Sequence, residues 1–256
     1  MIGDGSNLLF NDAGIRGVVM KIGRKLGEVH INGQTVIADG GVWIPCLARR
    51  SAKAGLTGLE HTIGIPGTVG GLVLMNGGSL RQAIGTNVQR VWLVDRDGNE
   101  RMVLAADCDF SCRHSGLQGR EVIIVRTELR LKRREPRAIR HEMLEILRER
   151  RSKFPFRQPN CGSVFLSIPD HYHIIGPPGK VIEEAGLKGY RVGDAQVSPK
   201  HANFIVNLGQ ATAAEVLALI KHIRQTVHDR TGQWLGCEVR HVDEQGRLQP
   251  ASEVCG

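Results

Sequence analysis

Residues 64–71 read Gly64-Ile65-Pro66-Gly67-Thr68-Val69-Gly70-Gly71, and Met75-Asn76-Gly77-Gly78 follows after three more residues. Ordinary turns rarely need this many glycines. A main chain that passes very close to a flat or bulky group does need them, because a side chain would stand in the way. The stretch therefore favours a ligand-binding loop, with a tight structural corner as the alternative.

A second glycine-rich loop lies at the start of the chain and reads Gly3-Asp4-Gly5-Ser6-Asn7-Leu8-Leu9. Glycines let successive N–H groups point into one concavity, and Ser6 and Asn7 add further donors, which suits a pyrophosphate. The loop is not a Rossmann fingerprint, because no predicted strand precedes it and the third glycine is missing. Taken alone, it supports either a phosphate site or a plain turn.

A third loop spans residues 155–165 and ends in Asn160-Cys161-Gly162-Ser163-Val164-Phe165. A serine that follows a glycine in a polar loop can be a nucleophile, a proton donor or a turn residue. The nucleophile elbow of hydrolases is excluded, because Phe165 stands where that motif has its last glycine.

The composition is that of a globular protein, since 41% of the 256 residues are apolar. No apolar run approaches the roughly 18 residues that a membrane span needs, and residues 1–5 lack the features of a signal peptide. We therefore expect a cytoplasmic protein with no membrane partner.

The six cysteines lack CxxC or zinc-type spacing, which predicts free thiols and no metal site.

The formal net charge is +8, and much of the excess lies between Lys132 and Arg157. A basic surface suits a nucleic acid or an anionic small molecule such as a nucleotide sugar or a dinucleotide. Only 4% of the residues are aromatic, so the stacking side chains of a single-strand binder are scarce. The basic stretch therefore predicts a solvated linker and helix face, and we expect no nucleic-acid partner.

The first half of the chain has the pattern of short strands joined by turns. Strands are predicted at Gly17–Ile22, Thr35–Ala38, Val88–Val94 and Glu121–Lys132. A turn is predicted at Asp95–Gly98, and a helix from about Pro45 to Gly55.

The character of the sequence changes near residue 136, where Ile139, Met143, Ile146 and Leu147 recur at helical spacing. We therefore place a domain boundary between residues 136 and 137. Downstream, the patterns predict a helix at Gly179–Ala185 closed by Gly186, and strands at Asn203–Asn207 and Glu238–Val242. They also predict a long helix that begins at a Thr212/Glu215 capping box and ends at Gly232.

Five motifs occur in the order and spacing found in UDP-N-acetylenolpyruvoylglucosamine reductases, and the chain resembles this family over nearly its whole length. They are GDGSNLL (3–9), GLEHTIGIPGTVGG (58–71) with MNGG (75–78), KFPFRQPNCGSVF (153–165), GKVIEEAGLKGYRVGDAQVSPKHANFIVN (179–207) and LGCEVRHV (235–242). The third and fourth are highly specific. The short span between Phe165 and Lys180 resembles the subgroup that lacks an extra substrate-covering loop.

The resemblance implies an α+β fold with a vanillyl-alcohol-oxidase-type FAD-binding domain at residues 1–136 and a smaller α+β substrate-binding domain at residues 137–256. FAD would contact the first loop through Gly3, Asp4, Gly5, Ser6, Asn7 and Leu8. It would contact the second loop through Ile65, Pro66, Gly67, Thr68, Gly70 and Asn76.

The resemblance also implies the reaction. NADPH would reduce FAD, and flavin N5 would then deliver hydride to the vinyl carbon of UDP-N-acetylenolpyruvoylglucosamine, giving UDP-N-acetylmuramate for peptidoglycan. By motif match, Ser163 would donate a proton, while Glu238 and Arg113 would act at the substrate carboxylate, where negative charge develops. Substrate-binding candidates are Lys153, Gly162, Lys188, His201 and Asn203. A monomer is expected.

Three departures from the family pattern keep alternatives open. The family normally has a segment before the first loop, so the predicted FAD domain is incomplete at its N-terminus. Cys112 replaces the usual tyrosine before Arg113, and Ser167 replaces the usual asparagine. The alternatives are a paralogue that acts on a related enol ether and a truncated protein that binds FAD weakly.

Overall fold

The computed structural model describes residues 1–167 and 173–255. Its strands are β1 (Leu8–Phe10), β2 (Val29–Asn32), β3 (Thr35–Asp39), β4 (Leu56–Thr57), β5 (Val88–Val94), β6 (Glu100–Leu104), β7 (Ile123–Arg130), β8 (Lys132–Arg133), β9 (Arg191–Val192), β10 (Ala195–Val197), β11 (Ile205–Asn207), β12 (Arg240–Val242) and β13 (Leu248–Pro250). Its α-helices are α1 (Ile44–Lys53), α2 (Val69–Leu74), α3 (Pro136–Lys153), α4 (Pro178–Glu184), α5 (Ala213–Thr231) and α6 (Ala251–Val254).

The chain forms two compact units. The first comprises Met1–Asp4 and Met20–Arg150, and the second comprises Gly5–Val19 and Arg151–Gly256. The domain boundary predicted between residues 136 and 137 falls at the start of α3 and stays a prediction.

The first unit is built on an antiparallel sheet with the strand order β2-β3-β7-β5-β6. Thr127 and Leu129 are two residues apart on β7 and are buried on one face. Ile124 is also buried, because the pairing of β7 with β5 shifts its register between Arg126 and Ile124. Helix α1 buries Ile44, Leu47 and Ala48 in the same core. It ends where predicted, because Gly55 adopts the left-handed conformation (φ 71°) that closes a helix.

The second unit contains two small sheets and the long helix α5. Parallel pairing of β1 with β12 and antiparallel pairing of β12 with β13 form one sheet, and β11-β10-β9 forms the other. The capping box of Thr212 and Glu215 is present, and Gly232 (φ 71°) ends the helix. The predicted apolar stripe of α5 is buried throughout: Val216, Leu219, Ile220, Ile223 and Val227.

The α+β class is confirmed, as are the predicted helices and most predicted strands. The strand predicted at Gly17–Ile22 is wrong. Within residues 1–167 and 173–255 this segment pairs through a single bridge between Ile2 and Lys21, and Val18 is 96% exposed. One bridge is too little to form a strand. No helix in residues 1–167 and 173–255 combines the length and apolarity needed to cross a membrane.

Candidate active site

The two glycine-rich loops meet in the first unit. A Cβ atom on Gly3 would lie 2.5 Å from Thr68 Oγ1, so the first loop fits against the second only because residue 3 is glycine. Thr68 in turn caps α2, since its hydroxyl oxygen accepts the N–H of Gly71 at 3.4 Å. Gly3 and Thr68, two predicted FAD contacts far apart in sequence, therefore lie side by side.

Some glycines of the second stretch are required by the packing of the protein main chain itself. A Cβ on Gly70 would lie 3.2 Å from the carbonyl oxygens of both Gly40 and Ile124, and one on Gly78 would lie 1.9 Å from that of Gln82. The alternative of a tight corner therefore accounts for part of the pattern. Gly67 has a φ of 131°, a main-chain conformation that favours glycine.

The tip of this loop keeps main-chain donors available. The amides of Gly67 and Thr68 donate to no acceptor in residues 1–167 and 173–255, although both residues are buried. Their neighbours are held in place, because Ile44 donates to the Gly67 carbonyl (3.1 Å) and Val69 donates to that of Val42 (2.9 Å). Pro66 is exposed and Ile65 is half-buried beside this tip. The loop thus presents an apolar edge and two N–H groups.

Arg113 lies in a tight turn of the first unit, between Ser111 and His114, which exchange both main-chain hydrogen bonds at 3.1 Å. Its φ of 55° is uncommon for a residue other than glycine and is typical of functional sites. Arg113 is half-buried, and its charge lowers the pKa of Arg150, although burial is the larger cause of that shift. The turn therefore holds the positive charge of Arg113 close to that of the partly buried Arg150.

Asn76, a predicted FAD contact, supports this turn. Its Nδ2 donates to the Ser111 carbonyl at 2.7 Å, and its Oδ1 accepts the Gly85 N–H at 3.0 Å. The residue is 6% exposed and has a φ of 41°. The side chain therefore positions the segment that carries Arg113, and its contact with FAD stays a prediction.

In the second unit, Ser163 lies next to a strand-like segment that pairs with the segment of Glu238. Val164 accepts the Glu238 N–H at 2.8 Å, and Leu166 donates to the Gly236 carbonyl at 2.9 Å. The first loop joins them, since Asn7 Nδ2 donates to the Glu238 carbonyl at 3.0 Å. A Cβ on Gly162 would lie 3.6 Å from the Ser6 carbonyl oxygen. Ser6, Asn7, Gly162, Ser163 and Glu238 are therefore neighbours.

Asn203 fixes the loop of Ser163 from its other side. Its Oδ1 accepts the Phe165 N–H at 2.9 Å and its Nδ2 donates to the Phe165 carbonyl at 3.0 Å, while its own carbonyl accepts the Val164 N–H at 2.9 Å. At 3% exposure the carboxamide is fully used by the protein. In the structure it positions the loop, and its contact with substrate stays a prediction.

Lys153, Lys188 and His201 form a basic cluster in the second unit. Burial lowers the pKa of His201, and the nearby charges of Lys188 and Lys153 lower it further. The His201 Nδ1 accepts the Asn203 N–H at 3.2 Å, so a neutral ring carries its proton on Nε2. Lys188 also pairs with Glu183 at 2.7 Å. The cluster offers positive charge and an imidazole N–H, which suit a phosphate.

The sequence patterns did not identify the residues that support the turn of Arg113. Ser115 is fully buried, and its hydroxyl donates to the Leu74 carbonyl at 2.6 Å. Gln118 Nε2 donates to the same carbonyl at 3.1 Å and to that of Arg113 at 3.2 Å. No local motif marks these residues, because their partners are the end of α2 and a turn. Arg113 belongs to the first unit, and Ser163 and Glu238 belong to the second.

Comparison with known proteins gives one consistent match. Residues 1–103 match the profile of the FAD binding domain, and residues 154–242 match that of the UDP-N-acetylenolpyruvoylglucosamine reductase C-terminal domain. The chain is 44% identical to UDP-N-acetylenolpyruvoylglucosamine reductase 1 of Corynebacterium glutamicum, covering 99% of this chain and 76% of that protein. It is 43% identical to the reductase of Heliobacterium modesticaldum, covering 96% and 77%.

Among solved structures, the chain is similar to UDP-N-acetylenolpyruvylglucosamine reductase from Thermus caldophilus. The TM-score is 0.78 at 34% identity, and the match covers 93% of this chain and 83% of that one.

Proposed function

The chain belongs to the UDP-N-acetylenolpyruvoylglucosamine reductase family, and on that premise we propose that it reduces UDP-N-acetylenolpyruvoylglucosamine to UDP-N-acetylmuramate, using FAD and NADPH. The observation that carries the proposal is the network of the second unit: the Asn7 carboxamide donates to the Glu238 carbonyl, the Glu238 N–H donates to Val164 next to Ser163, and Gly162 lies close to Ser6. These residues come from three separate family motifs. If these motifs form one site, their residues must lie close together, and in the second unit they do.

The residues present fit FAD. Gly3 and Thr68 leave no room for a Cβ between the two loops, and the Gly67 and Thr68 amides remain available as donors. Such N–H groups suit the polar edge of a flavin or a phosphate oxygen, and Ile65 and Pro66 supply an apolar edge. We assign Gly3, Asp4, Gly5, Ser6, Asn7 and Leu8 to the pyrophosphate side, and Ile65, Pro66, Gly67, Thr68, Gly70 and Asn76 to the flavin side.

Bound FAD would take reducing equivalents from NADPH and supply a hydride to the vinyl carbon distal to the carboxylate. The protein must then provide a proton to the adjacent carbon. The Ser163 hydroxyl is the donor we propose. A serine hydroxyl is a weak acid, but it is sufficient here because the carbanion formed by addition to an enol ether is a strong base.

Glu238 and Arg113 are proposed to act at the substrate carboxylate. Negative charge accumulates there as the vinyl carbon is attacked, and a fixed guanidinium stabilises that charge without reorganisation. The tight turn, Asn76, Ser115 and Gln118 all restrict the main chain around Arg113. Glu238 is held in place through its main-chain N–H and carbonyl.

The basic cluster of Lys153, Lys188 and His201 is proposed to bind the diphosphate of the sugar nucleotide. A pKa of His201 below its usual value keeps the ring neutral at pH 7, so it offers one N–H rather than a full charge. The two lysines supply the charge. Gly162 has a φ of 82°, which lets the loop turn just before Ser163.

The test is an anaerobic absorbance titration of the whole chain after incubation with FAD. The proposal predicts a flavin band that NADPH bleaches and that UDP-N-acetylenolpyruvoylglucosamine restores, with UDP-N-acetylmuramate formed in equal amount. UDP-N-acetylglucosamine, which lacks the enolpyruvyl group, is the matched control and should restore nothing. A protein that takes up no FAD, or a bleached band that the substrate does not restore, would overturn the proposal.

A further inference from the structure

Helix α3 carries an exposed stripe on the first unit, formed by Arg137, Arg140, Leu144 and Arg148. These residues are three or four positions apart, so they share one face of the helix. A rise of about 1.5 Å per residue makes the stripe about 16 Å long. The residues of α3 that pack in the core of the first unit lie on the other side of the helix: Ile139, Met143 and Ile146.

The three arginines of the stripe form no ion pair within the protein. None of them lies within 4.0 Å of a carboxylate in the part of the chain that the structure describes. Two carboxylates of the same helix contact other side chains, since Glu142 pairs with Arg134 and Glu145 lies 3.6 Å from His141. The stripe is therefore a row of positive charges that the protein itself does not neutralise.

The stability of the helix does not explain this charge. The N-terminus of a helix carries partial positive charge, so acidic residues stabilise its first turn and cations destabilise it. The first turn of α3 contains no acidic residue, and Arg137 lies in it. The acidic residue that caps the helix, Glu135, stands before the first turn and accepts the Ala138 N–H at 2.7 Å. Arg137 therefore acts against the stability of α3, which indicates a role outside the helix.

The composition of the stripe favours an acidic protein segment over other polyanions. Leu144 is 42% exposed and stands one helical turn from Arg140 and one turn from Arg148. An apolar centre with a charged rim is typical of protein–protein interfaces, where arginine is enriched and binds carboxylates through two parallel hydrogen bonds. A phosphate backbone offers no apolar surface to Leu144, and a helix that lies in a bilayer inserts more than one apolar side chain.

We propose that this stripe is a docking surface for an acidic helical segment of another protein. In the partner, carboxylates one turn before and one turn after an apolar residue face Arg140 and Arg148, and the apolar residue covers Leu144. None of the four stripe residues is among the proposed FAD or substrate contacts. The inference therefore does not depend on the proposed function, and docking should leave the reductase reaction unchanged.

The test is fluorescence anisotropy of the whole chain with a labelled, alanine-rich peptide of about 20 residues, long enough to form a helix. The peptide carries glutamate, leucine and glutamate at one-turn spacing. Physiological salt screens long-range attraction between charges during the titration. The double variant Arg140→Glu, Arg148→Glu should bind the peptide about tenfold more weakly than the wild type, because two ion pairs become two like-charge contacts. Leu144→Ala should weaken binding by a smaller factor.

The matched control is the double variant Arg101→Glu, Lys221→Glu, which changes the net charge equally at exposed positions on β6 and α5. It should bind the peptide as the wild type does, and circular dichroism should show that every variant folds. Equal weakening in both double variants, or equal binding of a peptide with the same residues in scrambled order, would overturn the inference.

Tighter binding of anionic phosphatidylglycerol vesicles or duplex DNA than of the peptide, lost in the stripe variant, would also overturn it and assign the stripe to a membrane or a nucleic acid. A wild-type chain that takes up no FAD would overturn the proposed function alone.

Discussion

Ser163 occupies a loop whose main chain is held on both sides by hydrogen bonds to Asn203 and to the segment of Glu238. Removing its hydroxyl should leave this scaffold intact. Ser163→Ala should therefore lower the rate of enol-ether reduction by about 10²–10⁴-fold, the usual worth of a proton donor, while FAD binding and bleaching by NADPH continue. Stopped-flow absorbance separates the two half-reactions.

Ser167→Ala is the matched control for this prediction, because it removes a hydroxyl four residues further along the chain and leaves the proposed proton donor in place. Its substrate half-reaction should match that of the wild type. A Ser163→Ala variant with a normal substrate half-reaction would assign the proton to another group.

Asn76 combines a left-handed main chain with a carboxamide that bonds the main chain of Ser111 and Gly85. In Asn76→Ala both main-chain groups lose their partner, and alanine tolerates the φ of 41° poorly. We expect a loss of about 2–4 kcal/mol in unfolding free energy, together with weaker substrate binding as the Arg113 turn loosens. Urea denaturation and the substrate KM measure the two effects.

The exposed Asn99→Ala, in the turn between β5 and β6, is the control for Asn76→Ala and should change neither quantity by much. A stable Asn76→Ala variant with a raised KM would show that Asn76 acts on the ligand directly.

At the residue scale, the sequence was informative about which segments matter and less so about what each side chain does. Asn76 and Asn203 stand in loops that match a family motif, so both were predicted to contact ligands. In the structure their carboxamides bond main-chain groups 9 to 38 residues away. Such partners depend on tertiary packing, and a local pattern cannot reveal them.

Helix α5 shows the same limit at the element scale. Its local capping box was predictable, but its first turn has a second cap, because the Asp12 carboxylate accepts the N–H of Ala213 at 2.6 Å and of Ala214 at 3.0 Å. Asp12 lies just after β1, about 200 residues earlier. The parallel pairing of β1 with β12 joins residues still further apart in sequence, such as Leu8 and Arg240, which no local pattern could show.

The two caps give a prediction about α5. Thr212→Ala should cost about 1 kcal/mol of unfolding free energy, since it removes one capping bond. Asp12→Ala should cost about 2 kcal/mol, because it removes two bonds to a charged group at the positive end of the helix. Chemical denaturation of both variants measures the two losses of unfolding free energy and shows which is larger. Asp97→Ala, in an exposed turn, is the control, and a larger loss for Thr212→Ala than for Asp12→Ala would contradict the assignment.

At the scale of the whole molecule, each unit has its own apolar core, and the core of the first unit surrounds a histidine. His61 is 1% exposed, and neither ring nitrogen has a hydrogen-bond partner in residues 1–167 and 173–255. Burial lowers its pKa to about 4, with Arg113 also contributing and Glu60 opposing. The neutral ring is tolerated in the core, and the charged ring is not.

This histidine should make the first unit sensitive to acid. Between pH 6.5 and about 4 the unfolded chain binds a proton at His61 that the folded chain does not, so unfolding free energy falls as the pH falls through this window. The loss should be about 2 kcal/mol at pH 5 relative to pH 7.5, and on the order of 3 kcal/mol in full, at about 1.4 kcal/mol per pKa unit. In urea titrations at pH 7.5 and pH 5, His61→Phe should lose about 2 kcal/mol less unfolding free energy than the wild type between the two pH values. The control His141→Gln, at an exposed position of α3, should show the same loss as the wild type. An undiminished pH dependence in His61→Phe would show that other groups cause the acid sensitivity.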